Sequence, residues 1–243
     1  MDGFNKTIWI NWFQGWDNAP EICGHCLTSW KYHNPEWEVV KLDSTNISEY
    51  CELPKVKTNL ANYSDLLRVV LMYKYGGVWA DSTLFCNKPL DSWIDDDTDS
   101  FIFTRSDNDV TNKIICNWFV YANKDSHLIN ELYNRTIEYW EKNPVQEELN
   151  YWMHDLIKDM YLNDPKSKSI MDSWSHIDCS TVPSGKGAHL FTPYEHYPHQ
   201  PINEEAKNRI DSQVEPVYKL THKIDTKWNN PGTIFTHLFD TVS

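Results

Sequence analysis

The stretch from Asn62 to Leu90, NYSDLLRVVLMYKYGGVWADSTLFCNKPL, decides how the rest of the chain is read. From Leu66 to Tyr75 apolar residues fall on nearly every helical face, interrupted only by Arg68 and Lys74. A helix apolar all round is a buried helix. Asp65 and Arg68 stand three apart and are neighbours on that helix, and charged groups are almost never fully buried without a partner. Two readings follow: the pair satisfies itself, or it lines a pocket for a polar ligand. Gly76 and Gly77 supply the left-handed conformation that ends a helix, and Val78 to Phe85 reads as a short strand. Asp81, Ser82 and Thr83 sit at its polar end, where alternation puts Asp81 and Thr83 on one face.

Working outward, Lys6 to Phe13 reads as a first strand followed by Gln14-Gly15-Trp16. Ligands in α/β sheets bind beyond the carboxyl ends of strands, so Trp12, Phe13 and Gln14 are candidates to hold a base and ribose, with a core role the equal alternative for Trp12. After Pro20, Ile22, Cys26 and Trp30 share a helical face. Cys23-Gly-His-Cys26 lacks the second ligand pair of a structural zinc site and reads as core packing. Trp37 to Leu42 is a second strand, and Ser44 to Cys51 a short helix capped by Ser44 or Thr45. Such alternation predicts a mostly parallel sheet with helices on its faces. Further on, Phe101 to Arg105 and Asn117 to Tyr121 are strand candidates, His127 to Lys142 is an amphipathic helix stopped before Pro144, and a helix covers Glu147 to Tyr161.

Composition bounds the rest. The 243 residues suffice for one domain, with 1–125 as a ligand-binding half and 126–243 as a helical, less regular half. A net charge of −13 argues against nucleic acid as a partner, since phosphate-backbone binding rests on clustered Lys and Arg. No apolar stretch is long enough to span a bilayer and no signal-peptide pattern precedes Lys6, so a cytoplasmic protein with free thiols at its six cysteines is expected. Sequons stand at Asn5, Asn46, Asn62 and Asn134. Pro183-Ser-Gly-Lys-Gly187 reads as a turn, not a phosphate loop. The run Tyr194 to His199 collects groups able to stack on sugar rings or accept a proton, and Glu195 is a guess at an acceptor base.

Ser64-Asp65-Leu66-Leu67-Arg68, Tyr75-Gly76-Gly77-Val78-Trp79-Ala80-Asp81, and the N-terminal run Ile8 to Gly15 with Ala19-Pro20, Cys26 to Trp30 and Asn34-Pro35 resemble one known group. These are the glycosyltransferases with a DXD sugar-binding motif, nearest to the capsular polysaccharide synthesis protein family, and the likeness runs through Leu90. It implies an α/β, GT-A-like (Rossmann-like) fold, with a mostly parallel twisted sheet flanked by helices. It also implies transfer of a sugar from a nucleotide-diphosphate donor, UDP-sugar favoured and GDP-sugar possible, to a glycan acceptor in polysaccharide synthesis. On that reading Asp65, Arg68 and Asp81 form the catalytic constellation, with Ser82 and Thr83 beside the nucleotide sugar. Val217 to Lys223 resembles a basic segment that meets the donor diphosphate, through Lys219, His222 and Lys223. A divalent manganese or magnesium ion is implied as cofactor, with Asp81 and His237 as candidate ligands. Against it, Thr83, a neutral and poor ligand, stands where the motif has its second acid. Two other classes compete. A non-catalytic carbohydrate-binding module would use the twelve Trp and thirteen Tyr for stacking, and a glycoside hydrolase would need two carboxyls flanking one bond.

Overall fold

Thr7–Asn11 forms strand β1, whose five residues are all buried, in a computed structural model that describes residues 6–95, 97–105, 114–148, 150–174, 201–223 and 230–243. Helix α1 (Glu21–His33) leads to β2 (Glu38–Leu42), a one-turn helix α2 (Ile47–Tyr50) and a short β3 (Lys57–Thr58). Helix α3 (Leu60–Tyr75), β4 (Gly77–Ala80) and β5 (Leu84–Cys86) cover the segment from which the sequence was read. Then come β6 (Ser100–Thr104), β7 (Ile115–Ala122), α4 (His127–Lys142), β8 (Val145–Gln146), α5 (Trp152–Asn163) and α6 (Pro165–Asp172). The last described elements are α7 (Glu204–Asp211), β9 (Val217–Lys219) and α8 (Ile234–Asp240).

The central sheet has the order β2-β1-β4-β7-β6. β1 is parallel to both β2 and β4, while β7 runs antiparallel to β4 and β6, so four of the five strands point the same way. This is the mostly parallel α/β arrangement that the sequence predicts. The chain leaves β1 to one side for β2 and returns on the other side as β4, so the switch point of the sheet lies between β1 and β4. Crevices for ligands open at the carboxyl ends of such strands.

Helix α3 buries Leu66, Leu67, Val69, Val70, Leu71 and Met72, as its all-round apolar pattern requires. It begins earlier than the hydrophobic run suggests because Asn59 caps it: its Oδ1 accepts from the Ala61 and Asn62 amides, both at 3.0 Å. Asn62 is fully buried and donates to Thr58 Oγ1 and the Glu148 carbonyl, so this sequon is not presented to solvent. Cys23 and Cys26 pack with Ile22, Phe85, Tyr218, Phe235 and Leu238 in a smaller apolar cluster beside the main core, in the packing role expected of them.

Four expectations need correction. The strand anticipated over Val78 to Phe85 is two strands in different sheets: β4 stops at Ala80, and a tight turn closed by the Leu84 amide on the Asp81 carbonyl, 2.8 Å, redirects the chain. The short helix begins at Ile47 after Asn46, with no capping contact from Ser44 or Thr45, because Thr45 bonds Asp43 and Ser44 bonds the Phe13 carbonyl. The helix expected over Glu147 to Tyr161 starts at Trp152, since Gln146 and Val145 pair with β3. Finally, Cys116 is disulfide-bonded, while Cys23, Cys26, Cys51 and Cys86 are free and buried. Spacing along the chain does not reveal such a bond.

Gly76 ends α3 at φ +69°. A Cβ there would stand 2.8 Å from the Ala122 carbonyl oxygen and 2.9 Å from the Lys124 amide, both backbone atoms that cannot swing aside. Gly76→Ala therefore meets strain and clash together. We expect a loss of at least about 2 kcal/mol in urea denaturation, against little change for Gly24→Ala, where an added methyl meets nothing within 4 Å.

Candidate functional site

A cleft of about 570 Å³ lies at the carboxyl ends of β1 and β4. One wall is the segment following β1 (Asn11 to Gln14), and a second is the turn following β4 (Asp81 to Thr83). Helix α3 supplies Ser64, Asp65 and Arg68, and the end of β9 with the residues after it supplies Lys219 to His222.

Arg68 is the centre of the site. Its side chain is only 3% exposed, and its Nη1 lies 2.6 Å from Asp65 Oδ1 while Nη2 lies 3.0 Å from Asp81 Oδ1. Asp65 and Arg68 pair with each other, the first of the two readings made from the sequence, and the pair stands in the wall of the cleft. The guanidinium carbon is 5.0 Å from the centroid of Trp79, whose Nε1 also donates to Asp81 Oδ1 at 3.0 Å. Asn117, on β7, donates to Asp65 Oδ1 at 2.8 Å. Each carboxylate is thus held by donors from different elements.

Asp81 has a second cation. Lys219 Nζ lies 2.9 Å from Asp81 Oδ2 and 2.7 Å from Thr83 Oγ1. This contact bridges 138 positions of sequence, and it exists because β9 pairs with β5 in the register Leu84 to Lys219, extended by the Leu220 amide on the Thr83 carbonyl. Burial pushes the Asp81 carboxyl up. Lys219, then Arg68, and the hydrogen bonds from Lys219 and Trp79 outweigh it, so the group lies below the ordinary aspartate value. Ser82 is turned to Cys23, whose thiol burial drives up to about 11 despite that hydrogen bond and the Lys219 charge. Cys23 therefore stays protonated, a packing group and not a nucleophile.

Several buried polar atoms on these walls have no hydrogen-bond partner among the described residues. They are Arg68 Nε, Asn11 Oδ1, Asn150 Oδ1 and Trp12 Nε1. Each is closed off from solvent as well as unpartnered, an uncommon state for a buried polar group.

The other expected residues divide. Trp12, Phe13, Gln14, Ser82, Thr83, Lys219 and His222 all line the cleft, with the Trp12 and His222 rings edge to face at 5.4 Å. His222 does not bring the positive charge expected of it: burial, then Lys223 and Lys219, push it below 6.5, so at neutral pH it is an uncharged imidazole. Lys223 is exposed and does not line the cleft. His237 is not beside Asp81. It sits on α8 with Nε2 2.7 Å from Asp211 Oδ1 and outside the cleft wall. Among the described residues no group of three or more His, Cys, Asp or Glu side chains is arranged to hold a metal. Glu195 and the rest of Tyr194 to His199 lie outside the described residues.

Sequence reading passed over Asn11, Trp79 and Asn117. Trp79 could have been found, since residues two apart in a strand share a face and Asp81 was already in hand. Asn117 carries no local signal, because only the register of β7 against β4 brings it to Asp65.

With this geometry established, the chain can be set beside known proteins. The sequence profile of the capsular polysaccharide synthesis protein family matches residues 2–238. The chain belongs to that family. Among curated relatives of this family member, the O-glycosyltransferase braB of Annulohypoxylon truncatum is 30% identical over 98 residues, covering 33% of this chain and 23% of the relative. Glycosyltransferase afumC of Aspergillus fumigatus is 27% identical over 108 residues, covering 37% and 28%. The match thus spans about a quarter of each curated relative. Among solved structures, a chain named PaToxG Glycosyltransferase superposes with a TM-score of 0.48 at 13% identity, covering 70% of this chain and 74% of that one.

The Arg68 network generates two expectations. Arg68→Met strands two partly buried carboxylates, and we expect about 3–5 kcal/mol of lost stability in urea denaturation. The second concerns acid. A carboxyl whose folded value is depressed contributes stability above its unfolded value of 3.8, and loses it as pH falls through the lower folded value. The melting temperature of the wild type should therefore drop on acidification below that point, and Asp81→Asn, already less stable at neutral pH, should drop less steeply over the same range.

Proposed function

We propose that this family member is a glycosyltransferase of the GT-A type, moving a sugar from a nucleoside-diphosphate donor to a hydroxyl of a glycan acceptor. The single observation that carries this reading is the buried Arg68, held between Asp65 and Asp81 in the switch-point crevice of the sheet. The names of the matched relatives support it.

In this reading the base and ribose rest against Trp12, Phe13 and Gln14. Asp65 and Asp81 accept hydrogen bonds from sugar or ribose hydroxyls, while Arg68 fixes both carboxylates in position. Transfer breaks the bond between the anomeric carbon and the diphosphate oxygen and forms a bond from that carbon to the acceptor oxygen, whose proton is lost to a base. The departing diphosphate gains negative charge, and fixed cations stabilise that charge more in the transition state than in the ground state. Holding donor and acceptor in line supplies much of the remaining acceleration. UDP-sugars are the favoured donors and GDP-sugars the alternative.

A carbohydrate-binding module has no use for a buried guanidinium shared by two acids. A hydrolase needs its two carboxyls free to act on opposite sides of one bond, whereas Asp65 and Asp81 are tied to the same arginine. Among the described residues no helix is long and apolar enough to cross a membrane. The expected cytoplasmic location sits uneasily with the Cys116 disulfide, a bond that reducing compartments disfavour.

A thermal-shift screen of UDP, GDP and their sugar conjugates tests the reading. A ligand at a hundred times its dissociation constant adds about 2.7 kcal/mol of stability, and we expect at least one nucleotide to raise the melting temperature and Asp81→Ala to abolish the rise. A wild type indifferent to every nucleotide would overturn the assignment.

A further inference from the structure

The DXD resemblance brings with it a divalent metal, and the residues present do not suit one. A hard divalent ion at a nucleotide site is held by one or two carboxylates together with waters and the substrate's phosphates, so the carboxylate that anchors it must be open to it. Here the motif offers a single carboxylate, Asp81, with the neutral Thr83 hydroxyl in the place of the second acid. The point between those two groups lies against an ammonium: Lys219 Nζ stands 2.9 Å from Asp81 Oδ2 and 2.7 Å from Thr83 Oγ1. Asp81 Oδ1 is taken as well, by Arg68 and Trp79. A divalent cation bridging Asp81 and Thr83 would have to displace the lysine and would face Arg68 across the same carboxylate.

We propose that Lys219 is the resident counter-cation of this site, the group that meets the donor's diphosphate directly and makes nucleotide binding and transfer independent of a divalent metal. The proposal rests on the nucleotide-sugar reading given above. Three facts support it. The ammonium has three N–H donors; two go to Asp81 and Thr83, and among the described residues no acceptor meets the third. The side chain is 16% exposed, and Lys219 lines the cleft, so that donor has access to a ligand. Finally, Lys219 is the one residue of the basic segment that brings a charge into the cleft, since Lys223 lies outside it and His222 is uncharged at neutral pH. Anchoring by Asp81 and Thr83 fixes the charge ahead of the reaction, the condition under which a cation stabilises a departing anion most effectively. When the anomeric carbon–oxygen bond breaks, its electron pair stays on the terminal diphosphate oxygen, and the fixed ammonium donates a hydrogen bond to that diphosphate without giving up its proton.

The test is calorimetric titration of the wild type with UDP and GDP, and with uridine and guanosine, in excess EDTA and again with manganese. We expect the diphosphate to bind equally in both conditions and more tightly than its nucleoside. Lys219→Met should weaken diphosphate binding by roughly tenfold or more, the loss of one charge-assisted hydrogen bond, with no rescue by manganese and no change for the nucleoside. Lys219→Arg should retain most of the affinity. A wild type that binds the diphosphate only with manganese overturns the proposal and leaves the glycosyltransferase reading standing, and so does a Lys219→Met protein that binds the diphosphate normally or loses nucleoside and diphosphate alike. If no nucleotide binds the wild type in either condition, both readings fall. Should Lys219→Met not fold, the comparison of EDTA with manganese in the wild type decides by itself.

Discussion

A guanidinium sealed from water, with a carboxylate on either side of it, is the constraint on which this structure depends. Arg68 lies within the buried apolar run Leu66 to Met72 of α3, and a charge in that setting is tolerated only when its partners are fixed. Asp65 comes from the same helix and Asp81 from the turn after the next strand, so one ion network ties α3 to β4. Asn117 extends it to β7 and Lys219 to β9. The elements that make the core are thus also the elements that hold the site, and positioning of the site needs no separate device.

The cost of such an arrangement is desolvation, and its return is preorganisation. Buried ion pairs are often no more stable than apolar replacements of the same shape, so their presence here is better understood as placing polar groups at a sheet's switch point than as stabilising the fold.

Under the proposal made for Lys219, the threonine that stands in place of a second acid serves as an acceptor for an ammonium. The pairing of β9 with β5 delivers that ammonium. Substitution in the motif and the distant lysine make sense together, and each alone would be ambiguous.

The sequence by itself determined what depends on neighbours along the chain. The all-apolar face of Leu66 to Tyr75 made α3 a buried helix, Gly76-Gly77 ended it, the 3.6-residue pattern of His127 to Lys142 matched α4 to the residue, and the three-residue spacing made Asp65 and Arg68 neighbours. The family motifs added Asp81. Only the tertiary structure decided the rest. A turn, not strand alternation, places Asp81 and Thr83 around one ammonium. Register across strands far apart in sequence brings Asn117 and Lys219 to the acids, and partial desolvation beside two lysines lowers the His222 pKa from its ordinary value. The division has one physical cause. Helix periodicity, capping and glycine dihedrals are local properties written in consecutive residues, whereas strand register and desolvation belong to the packed whole and leave no trace in any short stretch of the chain.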